Sequence, residues 1–305
     1  MLDKQTKNAS LDDNIVRDYR RRFVFDQLDA RGCIVHLRET CESIQATHHY
    51  PPQLARLLNE FALAACLLRD SIKIDGSLTI QLRTPGVITL LMADCLSDRR
   101  VRAIAEYKSD ELASDNELSL NRLGEGAILA ITISPDEGER YQSIVPIEND
   151  SLAECLQDYF ARSEQLPSLF HLLANTQSGL GIAVHALPPQ KVTDAVSAQE
   201  HFNRLAALLL TLSADEALNL DAQELLTRLF HEESCRLYEP HRVEFGCECS
   251  YEKSLDAIRS LGALDVKNLI AERQADGNHN LVVDCHFCFQ RYDFEFDTLQ
   301  QLFSQ

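Results

Sequence analysis

The sequence contains no apolar run long enough to cross a bilayer. Its longest, "FALAACLL" (61–68) and "AILAITI" (127–133), fall far short of the ~20 residues a spanning helix needs. The charged start "MLDKQTKNASLDDNIVRDYRRRF" has no apolar stretch of the kind a secretory leader carries, so a cytoplasmic location is expected. Ten cysteines in that reducing setting are not expected to form permanent disulfides. Positive charge is scarce as well. Lys and Arg number 29 against 47 Asp and Glu, a net charge of −18, which argues against nucleic acid or an anionic membrane as partner. Catalytic signatures are weak: "GEG" (124–126) and "GLG" (179–181) lack the longer glycine pattern a dinucleotide requires, and no enzyme activity is expected.

The chain is 45% apolar over 305 residues, enough for a large domain and a smaller one. "GCIVHLR" (32–38) has a strand pattern. After Pro51 and Pro52, "QLARLLNEFALAACLLRD" (53–70) carries Leu and Ala at helical spacing and predicts a largely buried helix. "SLTIQLR", "GVITLLMA" and "RVRAIAEYK" follow as β-rich runs between tight turns, and "AILAITIS" with "RYQSIVPIE" predicts a further hairpin. Strands that follow one another this closely pair antiparallel, so the fold class is α+β: a mixed, largely antiparallel sheet with helices over 1–190. Ser151 and Glu154 form a capping box ahead of a helix whose Leu152, Cys155, Leu156 and Tyr159 share one stripe.

Residues 191–244 show no strand pattern and two or three amphipathic helices. Phe202, Leu205, Leu209 and Leu212 line one apolar face, and Leu225, Leu226, Leu229 and Phe230 another. Ser213 with Glu216 and Asp221 with Glu224 mark helix starts. Residues 245–305 then carry two short helices, "SYEKSLDAIRSL" and "LDVKNLIAER", and a strand, "RYDFEF", as a small α+β module.

That module holds "FGCECS" and "DCHFC". Cys247 and Cys249, then Cys285 and Cys288, make a C-x-C and C-x-x-C set separated by residues 250–284, a spacing that predicts a zinc ion (Zn2+) held by four thiolates. Four sulfurs close the coordination sphere, so a hydrolytic centre is disfavoured. His279 and His286 lie close enough in sequence to be substitute ligands. A module of this size rarely draws more than about 3–5 kcal/mol from its core. A ligand at a hundredfold over its dissociation constant adds about 2.7 kcal/mol, so metal loss could unfold the module. Metal-bound thiolates are also what peroxide attacks. Disulfide bonding needs Cα atoms about 4.4–6.8 Å apart, whereas two extended residues span roughly 6.6–7.2 Å. A Cys247–Cys249 bond therefore needs a bent backbone and should reduce easily, and Cys285–Cys288 can close within a turn. Spacing alone leaves both a purely structural zinc module and a redox switch open. Cys33, Cys41, Cys66, Cys95 and Cys235 have no metal-like spacing. Most of them suit small buried hydrophobes, and Cys235, in the 191–244 segment, is a weaker candidate for redox chemistry.

"GERYQSIVPIENDSLAECLQDYFARSEQLP", "LLTRLFHEESCRLYEP", "VEFGCECS" and "DCHFC" together resemble the bacterial redox-regulated 33-kDa heat-shock chaperones, the heat-shock protein 33 family, over almost the whole chain. The resemblance implies an N-terminal α+β domain, a helical linker and a C-terminal zinc-binding redox switch. It implies an ATP-independent holdase for unfolding client proteins, often a homodimer when oxidised, with Cys247, Cys249, Cys285 and Cys288 as zinc ligands. The apolar faces of 191–244 would then bind clients once the module melts. Two departures stand out: a longer stretch between the cysteine pairs around "RQADGNHN", and Phe289 where the family commonly has Gly. A constitutive zinc-stabilised adaptor and a dithiol oxidoreductase are the competing expectations. The second is the weaker, because the C-x-x-C pair follows "LVVD" and precedes a strand instead of opening a helix.

Overall fold

The computed structural model describes residues 18–72, 75–112, 118–123, 126–191 and 194–303. Gly124 of the "GEG" stretch lies outside them. The chain divides into two units at Phe245/Gly246.

The larger unit runs through β1 (Tyr19–Phe25), β2 (Ala30–Leu37), α1 (Glu39–His48), α2 (Pro52–Ser71), β3 (Gly76–Arg83), β4 (Ile88–Cys95) and β5 (Arg100–Tyr107). It continues with β6 (Ile128–Pro135), β7 (Tyr141–Val145), α3 (Leu152–Arg162), β8 (Ser168–Ala174) and β9 (Gly179–Ala186). Helices α4 (Ala195–Leu209), α5 (Ala214–Asn219) and α6 (Ala222–Leu229) follow, then the short strands β10 (Cys235–Leu237), β11 (His241–Arg242) and β12 (Glu244–Phe245).

Two sheets form around one helix. The first has the order β10-β1-β2-β9-β8, with β11 also on β1; the second is β12-β5-β4-β3-β6-β7. Every pairing is antiparallel except that of β12 with β5. Helix α2 is apolar on nearly all sides because it packs on β2, β8 and β9 of one sheet and β3, β4 and β5 of the other. The strand period of two then sorts the first sheet's side chains. Cys33, Val35 and Ala183 join the α2 core, while Ile34, Leu180, Ile182 and Val184 face away from it. Gly179 and Gly181, the "GLG" stretch, sit on the α2 side. A Cβ at Gly181 would come within 2.9 Å of Leu67 Cδ1, and one at Gly179 within 2.8 Å of Leu63 Cδ1. Those glycines serve helix–sheet packing, not a cofactor.

The outward face of the first sheet is covered by α4–α6. Leu205, Leu209, Leu212, Leu225, Leu226, Leu229 and Phe230 are buried in one cluster with Phe23, Phe25, Ile34, Leu180, Ile182 and Val184, and Phe202 packs against it half-buried. Each helix starts at a side-chain cap: the Ser197, Glu216 and Glu224 amides donate to Asp194, Ser213 and Asp221. The sequence pattern of 191–244 shows no strand, yet β10, β11 and β12 fall within 235–245. They are two or three residues long, too short to display alternation, and their pairing is set by β1 and β5.

His185, on β9, lies between Ser71 Oγ (2.7 Å from Nε2) and Ser168 Oγ (2.7 Å from Nδ1). Burial, and secondarily the charge of Arg31, lowers its pKa to about 4. The unfolded chain therefore takes up a proton near pH 6.5 that the folded chain refuses, so stability is lost as pH falls from 6.5 towards 4. This histidine contributes up to about 3 kcal/mol of that loss. Urea titrations between pH 7 and 4.5 should show the slope, and His185→Gln should make it shallower.

Candidate metal centre

The smaller unit comprises α7 (Tyr251–Leu261), α8 (Ala263–Ala275), β13 (Asn280–Asp284), β14 (Arg291–Glu295) and α9 (Phe296–Gln301). Its core is Ile258, Val266, Ile270, Leu281, Phe294, Phe296 and Leu299. Helix α7 opens at Ser250, whose hydroxyl accepts from the Lys253 amide at 3.1 Å. Cys249 directly precedes that cap, so the positive end of α7 follows the first cysteine pair. Strands β13 and β14 pair from Asn280↔Glu295 to Asp284↔Arg291. Beyond them the chain folds back tightly: the Cys285 amide donates to the Gln290 carbonyl (2.9 Å) and the Phe289 amide to the Cys285 carbonyl (2.8 Å).

These two elements bring all four sulfurs within 4.8 Å of one another. Cys247 Sγ lies 3.6 Å from Cys285 Sγ, and Cys249 Sγ lies 3.4 Å from Cys288 Sγ. A tetrahedral ion with metal–sulfur bonds of about 2.3 Å spaces its sulfurs about 3.8 Å apart. The four cysteines thus fit a zinc ion in number, element and spacing. Without a cation the cluster favours neutral thiols. Burial, reinforced by the neighbouring thiols, pushes Cys285 and Cys288 above the usual thiol range. Four thiolates at this separation need a cation between them. His279 and His286 are exposed, and among the described residues neither joins the cluster.

One contact escapes the sequence pattern: the Tyr292 hydroxyl donates to Cys249 Sγ at 3.2 Å. That bond holds the Tyr292 hydroxyl above its ordinary pKa. In "RYDFEF" the tyrosine looks like any β-strand aromatic, so no signal marks it. The remaining cysteines sit apart from the cluster. Cys33, Cys41, Cys66, Cys95 and Cys155 are buried. Burial first, then Asp26, raises Cys235 to about 12, which keeps it an unreactive thiol.

A family model described as Hsp33 protein matches residues 18–295. The chain belongs to the Hsp33 family. It is 42% identical over 289 residues to the 33 kDa chaperonin of Ectopseudomonas mendocina, covering 95% of this chain and 96% of that one. The 33 kDa chaperonin of Azotobacter vinelandii is 43% identical over 287 residues, covering 94% and 95%. The crystal structure of the 33 kDa chaperonin from Thermotoga maritima superposes with a TM-score of 0.74 at 22% identity, covering 93% and 97%, and shares the fold. The chain is an Hsp33-type chaperone, and its four clustered cysteines sit in the C-terminal unit.

Phe289, the residue after the last cysteine, adopts a conformation that glycine favours. Its φ is +53°, in the left-handed region where a Cβ crowds the backbone, and it is 51% exposed. A glycine occupies that conformation without the penalty, which is about 1–2 kcal/mol. Phe289→Gly should therefore tighten the cysteine turn, raising zinc affinity by a few-fold in a competition with a chromophoric chelator.

Proposed function

We propose that this chain is a redox-regulated, ATP-independent holdase whose switch is the Cys247, Cys249, Cys285 and Cys288 cluster. The observation that carries the proposal is the convergence of four sulfurs in a unit whose apolar core, among the described residues, has seven buried side chains with five half-buried ones against them. Bound zinc would hold the four sulfurs as thiolates and tie the start of α7 to the β13–β14 turn. Under peroxide, each thiolate pair gives up two electrons to one peroxide molecule, which takes two protons from the solvent and leaves as two waters. Bonds Cys247–Cys249 and Cys285–Cys288 then form, and no ligand set remains. The unit keeps its small core alone, which falls in the range where loss of metal unfolds such modules.

Chain continuity carries the consequence into the larger unit. Strand β12 ends two residues before Cys247 and holds to β5 by a two-residue parallel pairing. Loss of order at the cysteines frays β12 first and then the short strands before it. Helices α4–α6 follow, and the faces carrying Phe202, Leu205, Leu209, Leu212, Leu225, Leu226, Leu229 and Phe230 turn from core into client surface. Unfolding proteins are the partners, with dimerisation in the oxidised state and action in the cytoplasm.

Zinc content and thiol counting before and after peroxide test this directly. Reduced protein should carry one zinc per chain, release it on peroxide with mild heat, and then suppress aggregation of a thermally unfolding test protein. Peptide mapping should find both disulfides within their sequence pairs. A Cys247→Ser, Cys249→Ser, Cys285→Ser, Cys288→Ser variant should lose all response to peroxide. An equal peroxide response in that variant would overturn the switch. If zinc removal abolished client binding instead of starting it, the protein would be a constitutive adaptor.

A further inference from the structure

A cavity of about 370 Å³ lies in the larger unit, at the end of α2. Its walls come from β1 (Arg22), β2 (Arg31, Cys33), β9 (His185) and the β10–β11 connection with its first following residue (Tyr238, Glu239, His241). In a chain of net charge −18, arginines gather around this spot. Asp70 at the cavity's edge is gripped by three guanidinium groups. Arg20 pairs with one carboxylate oxygen, Arg22 Nε approaches the other at 2.8 Å, and Arg99 Nη1 stands at 3.8 Å. The Arg31 side chain, on β2, has no hydrogen-bond or ion-pair partner among the described residues. Arg22 and Arg31 line the cavity together with the acids Asp70 and Glu239, while Arg20 and Arg99 reach Asp70 from outside the lining. Arg20 Nε, in a residue 95% buried, also lacks a hydrogen-bond acceptor.

Part of this positive charge answers the negative end of α2 and Asp70 itself. The guanidinium groups also act on a titrating neighbour. His241 is held below its usual pKa by burial first and then by Arg20, Arg99 and Arg22. A volume in this range suits a small ligand, and planar guanidinium forks match phosphate oxygens two at a time. Tyr238 adds an aromatic wall beside them.

We infer that this cavity binds a small phosphate-bearing molecule, which clamps the segment carrying Tyr238, Glu239 and His241 onto β1 and β2. That segment is the strap between α6 and Cys247. Tyr238 N donates to the Arg22 carbonyl at 2.8 Å, and Arg21 Nε to the Tyr238 carbonyl at 2.8 Å. A ligand spanning Arg31 and the strap adds a third tie. On the proposed redox reading, occupancy would delay release of α4–α6. The binding site itself does not depend on that reading.

The test uses reduced full-length protein without client, so its outcome stands whether or not the cysteines form a switch. Inorganic phosphate and adenosine monophosphate are titrated at low salt, with chloride at matched ionic strength and adenosine as controls. Saturable binding of at least one phosphate compound is expected, weakened at least about tenfold in Arg31→Gln, whose side chain has no internal partner to lose. Hydrogen exchange of amides in 235–242 should slow on saturation. Binding matched by chloride, binding unchanged in Arg31→Gln, or no protection of the strap would each overturn the inference. A thermal melt of Arg31→Gln equal to the parent's confirms that any loss is of binding and not of fold.

Discussion

Four sulfurs held within 4.8 Å of one another are the constraint on which the smaller unit depends. Burial first, and crowding by the neighbouring thiols after it, holds Cys285 and Cys288 above the usual thiol range, yet only the ionised form binds metal well. A divalent soft cation resolves the conflict, because it favours the thiolates that mutual repulsion disfavours. Ordering the start of α7, ordering the β13–β14 turn and binding the metal then become one event. The larger unit has no such dependence. Its α2 helix is enclosed by two sheets, and the core around it is continuous from β2 to α3.

The interface between α4–α6 and the first sheet has two halves, both apolar. The helices supply Leu205, Leu209, Leu225 and Phe230, and the strands supply Phe23, Phe25, Ile34, Ile182 and Val184. Lifting the helices would expose both halves at once. A client surface made this way is larger than the helices' faces alone, and the helical side moves relative to a rigid sheet. Under the proposed mechanism the question of whether linker or domain contacts clients loses its edge, since each half is exposed only when the other is. Patches beyond a few hundred Å² are rare on resting soluble proteins. Keeping this one closed by its own counterpart leaves a resting chain without it.

Much of this architecture is legible in the sequence because local chemistry dictates it. The Ser151–Glu154 and Ser213–Glu216 capping boxes form as the pattern predicts, α2 is buried as its all-round apolar character requires, and the alternation in "SLTIQLR" becomes β3. The C-x-C and C-x-x-C spacings bring their thiols together because each pair sits at a chain reversal or cap that needs few residues to specify. Other features belong to partners distant in sequence. Strand β1 is masked by "YRRR", whose arginines look like solvent charge until Asp70 is placed beside them by α2. Strands β10–β12 are too short to carry any period. The Tyr292 bond to Cys249 joins residues 43 apart in the chain, and the Arg31 cavity takes its walls from three strands and a loop.

The strap between α6 and Cys247 is where these separate features meet. It is built from β10, β11 and β12, each three residues or fewer, and a strand that short contributes few backbone hydrogen bonds and little buried area. Its attachment to β1 and β5 is therefore among the weaker joints of the larger unit, in contrast to the eight-residue pairing of β2 with β9. Weakness here is useful only if both neighbours bias it. At one end stand the four cysteines, and further back the cavity that Tyr238 and His241 line. A weakly attached segment responds to a modest change at either end. A longer, better-paired strap would respond to neither.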